Sequence, residues 1–139
     1  MTAFPLSKTF LAATPVADAR RRRGKRAYLS GQAAEARVAR DYEQRGLKLD
    51  QERYRGSRGE IDLIMRDGAA LVFIEVKQSR TFDAAAESLS ERQMRRIYGA
   101  AEEYLAREPM GQLTEARFDV ALVDGQGAVK VLENAFGGF

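Results

Sequence analysis

Two short apolar runs with one turn between them stand out along the chain. Glu60 to Met65 and Leu71 to Lys77 are rich in Ile, Leu, Val and Phe, and Asp67-Gly68 separates them. Such runs predict strands, and Asp-Gly predicts a hairpin turn. Upstream, the pattern predicts a helix from about Gly31 to Arg45, capped by Ser30 and ended by Gly46. Val38 and Tyr42 lie three and seven residues after Glu35, which puts that carboxylate on or beside the inward helix face. A short strand around Leu47 to Asp50 and an irregular segment from Tyr54 to Gly59 follow. Ser90-Glu91-Arg92-Gln93 has the form of a capping box. It opens a second helix whose apolar stripe is Met94, Ile97, Tyr98, Ala101, Tyr104 and Leu105. Strands over Arg117 to Val123 and Ala128 to Leu132 complete the order α-β-β-β-α-β-β. The expected fold class is α/β, a mixed sheet flanked by helices, forming one domain over residues 30–139.

Asp62, Glu75 and Lys77 break the apolar pattern of the two central strands. Burying an unpaired charge is expensive, so their presence there asks for a reason. If Asp67 and Gly68 alone form the loop, Asp62 falls opposite Phe73; if the loop is Asp67 to Ala70, Asp62 falls opposite Glu75. Either even-length loop puts Asp62, Glu75 and Lys77 on one face, and the longer one brings the two carboxylates within roughly 5 Å at Cβ. An odd loop or a bulge separates Asp62 from the other two. Two carboxylates at that distance repel unless a cation holds both. Mg²⁺ accepts one or two carboxylates while keeping waters for substrate phosphate oxygens. It can acidify a water and polarise a phosphoryl group, and Lys77 is spaced to orient the attacking water. Phosphodiester cleavage is the leading expectation. An ordinary cross-strand ion pair on a solvated hairpin face is the competing account of the same three residues.

Other polar positions have two readings each. Glu35 fits a metal ligand or water holder, or a salt bridge to a nearby arginine. Gln93 fits a side chain facing the sheet near the site, or the capping box alone. Arg53, Arg55 and Arg58 are spaced to meet phosphates, and Arg92, Arg95 and Arg96 to form a phosphate-facing ridge; exposed basic surface explains both sets as well. Asp119 is expected in a structural ion pair, and Tyr98 and Tyr104 in the core.

Composition narrows the chemistry further. The 139 residues are enough for one core, and 45% apolar content with no long apolar run speaks against a disordered or membrane-spanning chain. There is no Cys and no His, so disulfides, thiolate zinc sites, histidine bases and imidazole ligands are all excluded. Any metal must have oxygen ligands, which favours Mg²⁺ or Mn²⁺. A reducing cytoplasm is compatible with the lack of Cys. The formal charge of +3 is uneven: the first 30 residues hold seven basic residues against Asp18, and the rest of the chain sums to −3. Residues 1–29, with Arg20-Arg21-Arg22-Arg23, are expected to form a basic, flexible arm that adds sequence-independent affinity for phosphates, a solubilising tail being the alternative.

The strings Gly59-Glu60-Ile61-Asp62-Leu63-Ile64 and Phe73-Ile74-Glu75-Val76-Lys77 resemble the PD-(D/E)xK nuclease superfamily, which includes restriction enzymes and Holliday-junction resolvases. More narrowly, the segment from about Gly31 to about Asp124 resembles the YraN-type family of predicted bacterial endonucleases, through Gly31 with Glu35, Gln93 and Arg117-Phe118-Asp119-Val120 as well. The resemblance implies a restriction-endonuclease-like fold, with Asp62 and Glu75 as metal ligands aided by Glu35 and the Val76 carbonyl, and Lys77 as the active-site lysine. Ile61 stands where the superfamily often has Pro. The narrower family's basic residue two positions after the lysine is missing, since Gln78 and Ser79 precede Arg80. The expected function is a metal-dependent endonuclease acting on DNA, branched or structured DNA included. Arg55, Arg58, Arg80, Arg92, Arg95 and Arg96 would contact the nucleic acid. No membrane partner is expected, and a homodimer is compatible with resolvase-like action. The alternatives are a nucleic-acid-binding module with a vestigial site and an assembly protein whose charges stabilise the hairpin.

Overall fold

The structure, a computed structural model, describes residues 15–136. The chain divides into two compact units, residues 1–33 and 34–139. Helix α1 (Pro15–Gln44) begins well before the expected start at Gly31, so Ser30 is a helical residue and not a cap. Within the first unit Arg20 to Lys25 are exposed and Asp18 pairs with Arg21 three residues on. Lys8 of the expected arm lies outside the described residues, as does the Arg26 side chain.

The second unit contains the sheet. Its elements are β1 (Lys48–Arg55), β2 (Glu60–Asp67), β3 (Ala70–Gln78), α2 (Phe82–Glu87), α3 (Glu91–Leu105), a 3₁₀ turn (Gly111–Leu113), β4 (Ala116–Val123) and β5 (Val129–Leu132). Helix α2 is absent from the predicted order. The Thr81 hydroxyl caps it by accepting from the Ala84 N–H, and the three alanines 84–86 leave too weak a stripe to read in a sequence. The first strand is longer than expected and runs to Arg55. Strand order is β1-β2-β3-β4-β5, antiparallel except for the parallel β3–β4 pair. The expected α/β class and mixed, helix-flanked sheet are therefore observed.

The end of α1 follows from its sequence. Gly46 (φ +98°) turns the chain out of the helix, with Gly46 N–H donating to the Glu43 carbonyl and Leu47 N–H to that of Tyr42. This pair of bonds is a Schellman motif, which satisfies carbonyls that the helix end leaves open. Ala34, Val38 and Tyr42 then pack with Leu63, Met65, Val72, Ile74, Ala121 and Val123 on one face of the sheet. On the other face Ile97, Ala101 and Tyr104 of α3 pack with Ile64, Leu71, Phe73 and Phe118. Residues alternating along β3 thus feed two cores, as the two-residue strand period requires, while Val120 and Leu122 of β4 pack in a third, smaller cluster with Ala85 of α2. Asp119 is fully buried and meets the expected ion pair: it accepts from Arg117 Nε (3.1 Å), the Tyr42 hydroxyl (2.7 Å) and the Asn134 N–H (2.9 Å). Among the described residues no helix is long and apolar enough to cross a membrane.

Candidate active site

The β2–β3 ladder runs from Asp67↔Ala70 through Arg66↔Leu71 to Leu63↔Ile74 and stops there. Its register is that of the longer predicted loop, but the ladder closes one pair further, leaving only Gly68-Ala69 in the turn. Gly68, at φ +62°, occupies the position where this kind of tight hairpin requires a positive φ. Beyond Leu63↔Ile74 the two strands part. β2 stays with β1 through Tyr54↔Ile61 and Arg55↔Glu60, while β3 stays with β4 from Glu75↔Val120 to Gln78↔Val123. The sheet forks, and Asp62 and Glu75 are the first residue on each side of the fork.

Strict alternation, on which the shared-face expectation rested, fails at this point. Ile61 and Ile64 are three residues apart yet both join the α3 core, while Leu63 joins the other. The slip falls at Asp62, whose carboxylate crosses the fork to accept from the Val76 N–H at 2.8 Å. In an extended strand the N–H and C=O of one residue project to the same edge. The Val76 carbonyl therefore also faces the fork.

Glu75 is only 6% exposed and is held from two sides. Gln93 Nε2 donates to its Oε2 at 2.5 Å, and Lys77 Nζ lies 3.2 Å from the same oxygen. Gln93 takes the site-facing reading: its side chain turns to Glu75, and its part in the helix cap is its backbone N–H, which donates to the Ser90 hydroxyl at 3.1 Å. Burial pushes the Glu75 carboxyl up to about 8, with the Asp62 charge and hydrogen bond adding to the rise and Lys77 opposing it. Glu35 takes the salt-bridge reading. Its Oε1 lies 3.1 Å from Arg53 Nε, an arginine that sequence reasoning placed only among possible phosphate contacts. Its carboxyl is raised by burial, and by Asp62 nearby, against the lowering effect of Arg53.

A cleft of about 510 Å³ opens at the fork, with Asp62, Glu75 and Gln93 inside it and Arg55, Arg58 and Arg96 at its walls. The expected phosphate contacts Arg80, Arg92 and Arg95 do not line it and are exposed elsewhere. One wall is the Arg55–Glu60 turn, closed by the Gly56 N–H donating to the Gly59 carbonyl. It is tied to α3 by Ser57, whose N–H and hydroxyl both donate to the Glu103 carboxylate (2.9 and 2.6 Å). Ser57 and Glu103 went unread in the sequence, because 46 residues separate them and nothing local links them. Gly59 sits against α3 so closely that a Cβ would lie 2.8 Å from the Arg96 Cβ and 3.0 Å from its carbonyl oxygen. Gly59→Ala should push the turn off the helix and cost about 1–3 kcal/mol, a loss measurable as a lower midpoint of urea unfolding.

The donor set suits a hard cation. The Asp62 and Glu75 carboxylates and the Val76 carbonyl supply oxygen only, and a buried carboxylate facing another is what a divalent ion relieves. Among the described residues no group of three or more carboxylates gathers to hold an ion, and Glu35 is paired with Arg53.

The profile of the uncharacterised protein family UPF0102 matches residues 34–123, a segment that contains every residue of the fork. The chain belongs to the UPF0102 family. UPF0102 relatives are similar over nearly their whole length. One from Ruegeria pomeroyi is 62% identical over 115 residues, 83% of this chain and 94% of the relative. One from Cereibacter sphaeroides is 58% identical over 113 residues, 81% and 97% of the two chains. One from Dinoroseobacter shibae is 52% identical over 121 residues, 87% and 90%. The UPF0102 profile begins just before Glu35 and ends with β4, so it spans the four strands of the fork and leaves out β5 and the basic residues before position 34.

Proposed function

We propose that this UPF0102 protein is a divalent-metal-dependent endonuclease that hydrolyses phosphodiester bonds in DNA, branched or structured DNA included. The observation that carries the reading is the fork, where Asp62 and Glu75 face each other with Lys77 3.2 Å from Glu75. The mixed sheet with this D…ExK arrangement is the basis for placing the chain in the restriction-endonuclease-like, PD-(D/E)xK group and its YraN-type branch. In this reading Asp62, Glu75 and the Val76 carbonyl hold Mg²⁺ or Mn²⁺. The ion supplies Lewis-acid polarisation and an acidified water. Lys77 orients the attacking water and offsets charge on the phosphate, as an ammonium placed beside the reacting group does. Gln93 fixes the orientation of Glu75 through its side-chain amide. Arg55, Arg58 and Arg96 meet flanking phosphates along the cleft. A cleavage screen with Mg²⁺ or Mn²⁺ over single-stranded, duplex, flapped and four-way-junction DNA, with RNA counterparts, tests this. Cleavage of none of them overturns it.

One observation favours a second reading. Glu35 is tied to Arg53 and leaves the fork two carboxylates, fewer than a dedicated metal site often has. A nucleic-acid-binding module with a vestigial site would bind DNA in a salt-sensitive way without cutting it.

The basic residues before position 28 give a separate test. Deleting residues 1–27 removes seven basic residues and Asp18. Affinity should weaken for all DNA sequences alike, and the slope of log affinity against log salt should flatten by up to about 0.9 for each phosphate no longer neutralised. Turnover at saturating DNA should be unchanged, because the fork lies in the other unit. An unchanged salt slope would show that these residues do not meet phosphates.

A further inference from the structure

Arg53 occupies an unusual backbone position. It lies inside β1, yet its φ is +46°, a left-handed conformation that L side chains rarely adopt and that favours Asn or Gly over Arg. Holding a residue there costs on the order of 1–3 kcal/mol unless the surroundings repay it. The pairing of Glu52 with Leu63 and Tyr54 with Ile61 puts Arg53 opposite Asp62, where β2 also loses its alternation. Tyr54 turns into the α3 core, edge-on to Tyr104, while the Arg53 guanidinium reaches Glu35 on α1. Both partners of that ion pair are largely shielded, with side chains 34% and 19% exposed. A helix carboxylate beside the fork is thus matched by a strand arginine at the fork's own inflection.

Resting on the nuclease reading above, we propose that Arg53 is a positioning residue that restrains Glu35 and sets the charge of the fork, keeping Glu35 from acting as a full ligand of the cation. With Arg53 present, the ion is held by Asp62, Glu75 and the Val76 carbonyl, and Glu35 stays paired with the arginine. Without it, the fork gains one net negative charge and a carboxylate free to turn toward Asp62. Binding of the cation and turnover should then change in opposite directions: the ion binds more tightly and the reaction slows. An ion pair that merely supports the fold would lower both together.

Arg53→Asn separates these outcomes, because Asn tolerates a positive φ and the backbone is not the variable. Calorimetric titration with Mn²⁺ in the absence of DNA should show about tenfold tighter binding than wild type. The melting temperature without metal should not fall, and kcat on a cleaved DNA should drop with little change in KM. Arg53→Lys, which keeps the charge, should restore the wild-type Mn²⁺ affinity. Mn²⁺ binding to Arg53→Asn that is unchanged or weaker, while wild type binds the ion, overturns this role and leaves the nuclease reading standing. Absence of Mn²⁺ binding by wild type overturns both.

Discussion

Asp62→Asn should abolish metal-dependent cleavage, lowering kcat at least roughly 100-fold while the protein stays folded. The substitution keeps the shape of the side chain and its capacity to accept from the Val76 N–H, a bond of 2.8 Å that helps hold the fork together. It removes the charge needed on the β2 side of the ion. Losses of this size are typical when one charged or polar group acting directly on the transition state is deleted. Lys77→Ala should reduce turnover by a comparable factor with a smaller effect on Mn²⁺ affinity, since its ammonium pairs with Glu75 and carries no lone pair for the ion. A nuclease assay paired with Mn²⁺ titration of each variant decides the matter. Undiminished cleavage by Asp62→Asn would remove that residue from the mechanism.

Without metal, the protein should lose stability as pH rises from about 4.5 to about 8. The cause is Glu75: burial and the Asp62 charge raise its carboxyl to about 8 in the folded chain, whereas the unfolded chain ionises it near 4.5. Between those values the folded state holds a proton that the unfolded state has released, so stability falls with pH and levels off above 8. The loss should be on the order of a few kcal/mol. Other groups titrate too, so the informative quantity is the difference between wild type and Glu75→Gln, which has no charge to bury. That difference should be small at pH 5 and should favour the variant at pH 8. Millimolar Mg²⁺ should restore much of the wild-type stability at pH 8, because an ion bound only by the folded state stabilises it. Melting curves at both pH values, with and without Mg²⁺, provide the test. Parallel curves for wild type and variant would mean that Glu75 is solvated.

The central hairpin, the capped helix α3 and the chemistry-bearing residues Asp62, Glu75 and Lys77 were readable along the chain. Each depends on neighbours a few residues away: Asp67-Gly68 for the turn, Ser90 and Gln93 for the cap, a charge among apolar residues for the site. The absence of Cys and His restricted any metal to oxygen ligands before a fold was known. The sequence could not choose between the two hairpin registers, because both even-length loops satisfy the same alternation. The structure has the longer loop's register, from Leu63↔Ile74 to Asp67↔Ala70, with Gly68 at positive φ in the closing turn. Helix α1 was read too short because the run of arginines suppressed the apolar period, although arginine is by intrinsic propensity a good helix former. The roles of Glu35, Arg53, Ser57 and Glu103 are long-range pairings across 18 and 46 residues, invisible to local pattern. Only the tertiary structure decided them, because a hydrogen bond or ion pair depends on distances that the folded sheet alone establishes. The fork is of the same kind: beyond Leu63↔Ile74, β2 stays with β1 and β3 with β4, and the Asp62 carboxylate reaches across the opening to the Val76 N–H.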